Sequence, residues 1–417
     1  MSKLLTVNIL DRKEKIMAEW VEKSLGEIAE VTKLAGFEFT KYIKYNDDGE
    51  IIALRALNLR NGEIDLTDIK RISREVSDGL TRSKIYKDDI LLTYTGNGYG
   101  DCAIIEENDK YHLAPNICKI VPNTEAVFPY YLYCYIRSKA FYNQMSNNMT
   151  GSGQPTIPMK TIRLLKIPIP GMDVQVNIAN MIWSLNQKIR NNKAINNNLE
   201  QQAQAIFKSW FVDYIPFNGT KPDRWENISV YELAEYINGA AFKKNEYADK
   251  GLPIIKITEL KNGISDATQY CCTEKDVKYY IDDRDILFSW SGNPDTSIDT
   301  FLWSNGKAIL NQHTFRVVSK YNAPAFTFFL LKYLKPRFTH IASNKQTTGL
   351  GHVTVADLKR LQFCADGNAI RKFNAITMPF FDMIFSNYKE NQYLSSLRDT
   401  ILPQLMSGEL DVSDIEI

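Results

Sequence analysis

Two short segments of this chain set hydroxyls, an aromatic ring, glycine and an amide in one order: Thr93-Tyr94-Thr95-Gly96-Asn97-Gly98-Tyr99-Gly100 and Ser289-Trp290-Ser291-Gly292-Asn293. Glycine lets the backbone approach a ligand closely, and Asn, Ser and Thr offer both donors and acceptors. An Asn side chain bound twice to an adenine edge is a standard base contact, so both segments are candidates for reading nucleic acid. The same residue types also build hairpin turns, and the two readings stand side by side. A second pair of candidates is the glycine loop Thr150-Gly151-Ser152-Gly153-Gln154-Pro155-Thr156-Ile157 and its counterpart Lys345-Gln346-Thr347-Thr348-Gly349-Leu350-Gly351-His352. Polar, glycine-rich loops suit phosphate or groove contacts. Lys33, Lys41 and Lys44 in the first half, with Lys243 and Lys244 in the second, form a third and less specific set whose default role is solvated surface charge.

Other chemistries are poorly served. No G-x-x-x-x-G-K-[ST] loop for a nucleotide is present, and Thr95-Gly96-Asn97-Gly98-Tyr99-Gly100 lacks the strand-to-helix setting of a dinucleotide fingerprint. Asn293-Pro294-Asp295 fails the Asn/Asp-Pro-Pro-aromatic pattern of a base methyltransferase, and no convincing nuclease motif occurs. The six cysteines, Cys102, Cys118, Cys134, Cys271, Cys272 and Cys364, form no C-x-x-C pair, and with four histidines they assemble no zinc spacing. The chain reads as non-catalytic. It has no apolar run of the ~20 residues that span a bilayer, and a soluble, cytoplasmic protein is expected. The net charge of +1 is low for a protein gripping DNA alone. Either its basic residues are locally clustered, or a partner supplies most phosphate contacts.

What must position the candidate residues is a duplicated framework. Trp20, Glu27, Ile28 and Ala29 recur 205 positions later as Trp225, Glu232, Leu233 and Ala234. Asn61-Gly62 recurs 201 later as Asn262-Gly263, the segment around Ile90 to Asn97 recurs 196 later, and Thr150-Gly151 recurs 198 later as Thr348-Gly349. Matches in one order at a slowly drifting spacing are the mark of internal duplication, with small insertions falling in loops.

Each half ends in a heptad-patterned helix. In the first, Ile178, Ile182, Leu185, Ile189, Leu199, Ala203, Ile206 and Trp210 alternate in steps of four and three, with Asn192 and Asn196 in the skipped places. Adding 198 predicts the second seam at Ile376, Phe380, Met383, Asn387, Leu397, Ile401 and Gln404, with Glu390 and Leu394 in the polar notch. Each helix covers ~40 residues and ~60 Å, and consecutive halves pair most simply as an antiparallel coiled coil with a pseudo-two-fold axis. The polar stretch 191–198 reads as a solvated face.

The globular segments contain short apolar runs at Ile51-Ile52-Ala53-Leu54, Ile90-Leu91-Leu92-Thr93-Tyr94, Pro253-Ile254-Ile255-Lys256-Ile257 and Asp285-Ile286-Leu287-Phe288. Turns are expected at 60–63 and 261–264, and one helix in each at 129–144 and 323–333. The mixture predicts an α+β fold, with Tyr130, Tyr131, Tyr133, Tyr135 and Phe141 in the core rather than on a stacking surface.

The repeat, the long helices, the helix ends Leu199 to Phe211 and Leu402-Pro403-Gln404-Leu405-Met406-Ser407-Gly408-Glu409-Leu410, and the exit Lys166-Ile167-Pro168-Ile169-Pro170 together resemble the specificity subunit of type I restriction-modification systems. The likeness spans nearly the whole chain, although Leu361-Gln362-Phe363-Cys364-Ala365-Asp366 departs from the exit pattern and leaves the second helix entry open. Residues 1–18 precede the family's usual start and are expected to form an extra helix docking near the C-terminal helix. The likeness implies target recognition domains over 19–170 and 216–367, a central spacer helix over 171–215, and a C-terminal spacer helix and tail over 368–417. Each recognition domain would read one half of a split, asymmetric site in double-stranded DNA, and the helices would measure the unread gap. The implied partners are two modification subunits using S-adenosylmethionine and restriction subunits using ATP and Mg2+, with no cofactor on this chain. The same architecture also serves the recognition subunit of a bipartite type II system, and a protein-binding coiled-coil scaffold is the alternative of a different class.

Overall fold

The computed structural model describes residues 20–412 except 97, 152–154, 347 and 348. The expected extension over 1–18 lies outside the described residues. The chain divides into two compact units, one comprising Met1–Gln187 with Leu394–Ile417 and the other Lys188–Tyr393. Each unit thus holds one globular segment and a piece of both long helices.

In the first unit the strand Val21–Ser24 pairs antiparallel with Lys166–Ile169, tying the segment's entrance to its exit. A helical turn follows at once because the Glu27 carboxylate accepts from the Ser24 backbone N–H at 2.6 Å, a capping box. A four-stranded antiparallel sheet then runs in the order Ala29–Lys33, Ile117–Pro122, Ile90–Thr93, Cys102–Ile104. Beyond it lies a three-stranded sheet of Lys70–Ile72, Ile51–Leu54 and Tyr111–Leu113, whose last pair is parallel. Asn61 and Gly62, with φ of 53° and 84°, turn the two-residue hairpin between Leu59–Arg60 and Glu63–Ile64. The single helix expected at 129–144 is two, Pro129–Ile136 and Lys139–Asn147. The Ser138 hydroxyl accepts from the Phe141 N–H at 3.2 Å and starts a new helix where the periodicity alone would continue the old one. Tyr131, Tyr133, Tyr135 and Phe141 are buried, as expected of core, with Tyr130 packed against them.

The second unit repeats the plan. Glu226–Ser229 pairs with Gln362–Ala365, so the irregular exit forms the same strand as its counterpart, and Glu232 closes the same capping box on Ser229. The four-stranded sheet runs Ala234–Asn238, Thr314–Ser319, Ile286–Ser289, Asp299–Leu302. The outer sheet, however, has five strands, in the order Tyr247–Ala248, Tyr270–Cys271, Leu252–Ile255, Ala308–Leu310, Tyr280–Ile281. The turn expected at 261–264 is instead the end of the helix Ile257–Asn262: Gly263, at φ 78°, donates its N–H to the Glu259 carbonyl at 2.9 Å.

The long helices are Met172–Phe211 and Gly367–Met406, each of 40 residues, so their starts and ends are both 195 apart. The expected offset of 198 was therefore three residues too long for the second seam. Three residues at ~100° each leave the stripe ~60° off the buried face. Ile376 and Met383 are accordingly 45% and 51% exposed, while Phe373, Thr377, Phe381 and Ile384 are buried. Two residues are lost within the glycine loop, where the offset falls from 198 to 196, and one more between the exit strand and the helix, where it falls to 195. Within the second unit the helices run antiparallel, with Asn192 and Asn196 buried in the seam and the rest of 191–198 a solvated face, as expected. Asn192 donates to Asn391 Oδ1 at 3.0 Å and to Glu390 at 2.6 Å, and Asn387 donates to Asn196 Oδ1 at 2.7 Å. A shift of 195 carries Asn192 to Asn387 and Asn196 to Asn391, so exchanging the helices exchanges the two amide pairs. In the first unit Arg398 likewise donates to Asn186 Oδ1 at 3.0 Å.

Candidate nucleic-acid interface

The two kinds of candidate loop come together in each unit. In the first, the segment leaving Ile90–Thr93 bridges to the segment leaving the glycine loop through Thr95 and Thr156, whose hydroxyls lie 2.7 Å apart. Tyr94 accepts the Ile157 N–H at 3.0 Å and donates its own N–H to the Asn116 carbonyl at 3.3 Å, while the Gly96 N–H reaches Pro155 at 2.8 Å. In the second unit Ser291–Gly292 pairs with Gly351–His352. Trp290 accepts from Val353 at 2.8 Å and donates to the His313 carbonyl at 3.4 Å. Every partner in this framework is displaced by 196 or 197 residues, so the backbone arrangement is one structure built twice. Asn97, Ser152, Gly153, Gln154, Thr347 and Thr348 lie outside the described residues.

The side chains on the shared backbone differ. Lys33, at the end of the first strand of its sheet, lies with Nζ 5.2 Å from the Tyr94 ring centre, and burial raises the Tyr94 phenol above its ordinary pKa. Tyr99 stacks on Tyr142 at 5.2 Å and 15°, and Tyr142 donates to the Tyr99 hydroxyl at 2.8 Å, pinning the Gly96 to Gly100 turn to the helix Lys139–Asn147. In the second unit Trp290 donates through Nε1 to Asn238 at 3.2 Å and lies against His313 and Phe315. Asn293 caps the helical turn Pro294–Ser297, its Oδ1 accepting from the N–H groups of Asp295 and Thr296, both at 3.1 Å. Lys345, expected as a loop cation, is held by Asp357. Burial opposes that carboxylate's charge, yet hydrogen bonds from Lys345 and Thr354 and the lysine's charge keep its pKa below the usual carboxylate range.

Gln346 is exposed just beyond the helix Lys335–Asn344, and His352 is half-buried on the pairing strand. Lys41 sits on the last turn of Gly36–Tyr42 with Nζ 4.9 Å from the Tyr42 ring, and Lys243 is exposed at a turn where Glu246 accepts its backbone N–H. Neither bonds to the paired loops. Thr93 and Ser289, in contrast, are fully buried at the root of the loops, and neither hydroxyl has a hydrogen-bond partner among the described residues. Asn238, Tyr142 and His313 escaped the sequence reading, although Asn238 stands 205 after Lys33, the spacing of the domain openings. Among the described residues no group of histidine, cysteine, aspartate and glutamate is placed to hold a metal ion.

The pattern of a known family covers both units: the type I restriction modification DNA specificity domain matches residues 17–201 and again 222–363. The chain belongs to that family. Similar proteins include the type I restriction enzyme MjaIX specificity subunit of Methanocaldococcus jannaschii, 24% identical across 96% of this chain and 96% of the relative. The HindI specificity subunit of Haemophilus influenzae is 22% identical across 94% of this chain and all of its own length. Among solved structures, the type I restriction-modification S subunit from M. genitalium shares the fold, with a TM-score of 0.55 at 14% identity over 93% of this chain and 96% of the other. The two matches of the specificity domain coincide with the two occurrences of the paired-loop framework, so the family's repeating element is the one that presents these loops.

Proposed function

We propose that this chain is the DNA sequence-recognition subunit of a type I restriction-modification complex. The paired loops of each recognition domain, residues 19–170 and 216–367, read one half of a bipartite, asymmetric site in double-stranded DNA. The helices over 171–215 and 368–417 set the unread gap and dock the modification subunits. This chain carries no catalysis; methyl transfer from S-adenosylmethionine belongs to the modification subunits, and cleavage with ATP and Mg2+ to the restriction subunits. The observation that supports the reading is one loop-presenting backbone, built twice in a family defined by DNA specificity, with different side chains on each copy. An asymmetric target requires that combination.

The test is co-expression with the neighbouring modification subunit in a methylation-free host, followed by mapping of modified bases across the genome. A motif of two short blocks with a fixed gap is expected. Removing the facing heptads of both helices, residues 189–195 and 388–394, takes out ~10 Å of rod and keeps the Asn196–Asn387 pair. At ~3.4 Å per base pair the gap should shorten by about three, with both blocks unchanged. Altered blocks at an unaltered gap would overturn the ruler, and a stable complex that modifies nothing would overturn recognition itself.

A further inference from the structure

We infer that Lys33 and Asn238 are positioning residues for the two reading loops, each steering one half of the target through the aromatic residue at the loop root. The inference rests on the recognition function proposed above and adds to it the residues that set how each loop stands. Lys33 and Asn238 are the last residues of equivalent strands, Ala29–Lys33 and Ala234–Asn238, and both are exposed. Tyr94 and Trp290 are the first residues after equivalent strands on the same sheets. The strand ends are 205 apart and the aromatics 196 apart, so the chain between them has lost nine residues in the second unit. The contact nevertheless recurs: Lys33 Nζ is 5.2 Å from the Tyr94 ring centre, and Trp290 Nε1 is 3.2 Å from Asn238 Oδ1.

The chemistry of the two contacts has nothing in common. One is a cation over a ring face, and the other is a ring-edge N–H given to an amide oxygen. A contact kept only because a duplicated backbone folds the same way would have no reason to find a new partner when both of its residues changed. Here both changed, and the replacement donor and acceptor match. The aromatic in turn sits at the hinge of the pairing between the loops: the Tyr94 carbonyl holds Ile157 and the Trp290 carbonyl holds Val353. Fixing the ring therefore fixes the angle at which both loops leave the sheet. The two rings pack against the cores of their units, but Lys33 and Asn238 are exposed, so removing either leaves the core itself intact.

The experiment uses the full chain assembled with its modification partner and reads the methylation motif and the relative modification of near-cognate sites. Lys33→Ala is expected to relax one block of the motif and leave the other untouched, and Asn238→Ala to relax only the opposite block. Exposed contacts of these classes change a local equilibrium by roughly two- to five-fold, so near-cognate sites in the affected block should gain modification by that factor. Lys33→Arg keeps a cation over the ring and Asn238→Asp keeps the acceptor oxygen; both should restore the block. Trp290→Phe should match Asn238→Ala, and the double variant should be no worse than either alone. Unchanged selectivity in both alanine variants, or loss in both blocks from either one, overturns the inference. Absence of any two-block motif in the parent complex would instead remove the recognition reading beneath it.

Discussion

Residues 20–170 and 225–366 share a four-stranded sheet with one strand order, yet the sheet beyond it has three strands in the first and five in the second. The same contrast recurs at the loops, where backbone hydrogen bonds superpose by a fixed shift while Tyr94 with Lys33 becomes Trp290 with Asn238. Main-chain pairing is indifferent to side-chain identity, so a duplicated sheet keeps its loops in place while their chemistry drifts. The proposed pair of readers for two different half-sites would rest on that separation of duties.

The anchors of the two units diverge in the same manner. The end of the first long helix places Phe207, Trp210, Phe211 and Phe217 in the core of the second unit, and 195 residues later Leu402, Leu405, Met406 and Val412 occupy the core of the first. Phe211 lies within 5.0 to 5.7 Å, centre to centre, of Phe207, Trp225, Phe326, Phe363 and Phe373. Its counterpart Met406 is equally buried but flexible, and a flexible thioether's surroundings close more easily around a deletion. Phe211→Ala should therefore destabilise the second unit by ~4 kcal/mol and Met406→Ala the first by ~2 to 3 kcal/mol. Hydrogen exchange resolved by unit measures both, and an equal or reversed order would show that the aromatic anchor has no advantage.

At the helix seam the halves should behave alike, because the amide pairs Asn192 with Asn391 and Asn196 with Asn387 exchange under one shift. Asn387→Leu strands the buried Asn196 amide and is expected to cost ~1 to 3 kcal/mol. Adding Asn196→Leu removes the stranded partner, and the double variant should recover most of the loss while weakening the selection of a single register. Urea unfolding gives the energies, and a double variant less stable than Asn387→Leu alone would refute the pairing. The symmetry is not perfect, since Asn192 also donates to Glu390, and that hydrogen bond together with Lys188 holds the Glu390 carboxyl below its ordinary pKa.

What was legible in the sequence follows the same division. The repeat, the short apolar strands such as those at Ile90 and Ile286, and the first helix seam were readable because each depends on residues close in sequence or on a strict period. The second seam was placed 60° off because a period carried across loops inherits every deletion in them. The two Asn-Gly pairs look identical, but Gly62 closes a hairpin and Gly263 a helix, a choice made by the helix-forming run Ile257 to Asn262 rather than by the dipeptide. At the site, the sequence singled out both kinds of loop but not that they pair within each unit, and Lys345 looked like a free cation because its partner Asp357 is twelve residues away and reaches it only through a capped helix. Lys33 and Asn238 reach their aromatics only across an intervening strand, Ile117–Pro122 or Thr314–Ser319, which no local pattern reports.

The smallest expected effect is the most discriminating about the loop roots. Thr93 and Ser289 occupy equivalent positions, both fully buried and both with a hydroxyl that finds no partner among the described residues. A hydroxyl in that state has given up its water without a replacement bond, so removing it should cost nothing and relieve part of that desolvation. Thr93→Val preserves the volume and is expected to be neutral or stabilising by up to ~1 kcal/mol. Ser289→Ala also removes little volume and should behave in the same way. Thermal unfolding of each variant supplies the comparison. If one costs stability while the other does not, the hydroxyl at the costly position holds a hydrogen bond in solution, to water or to a shifted carbonyl, and the two loop roots are not the same structure. If both cost stability, the roots are alike but hydrated, and the framework beneath the reading loops is held by ordered water as well as by the strand pairing.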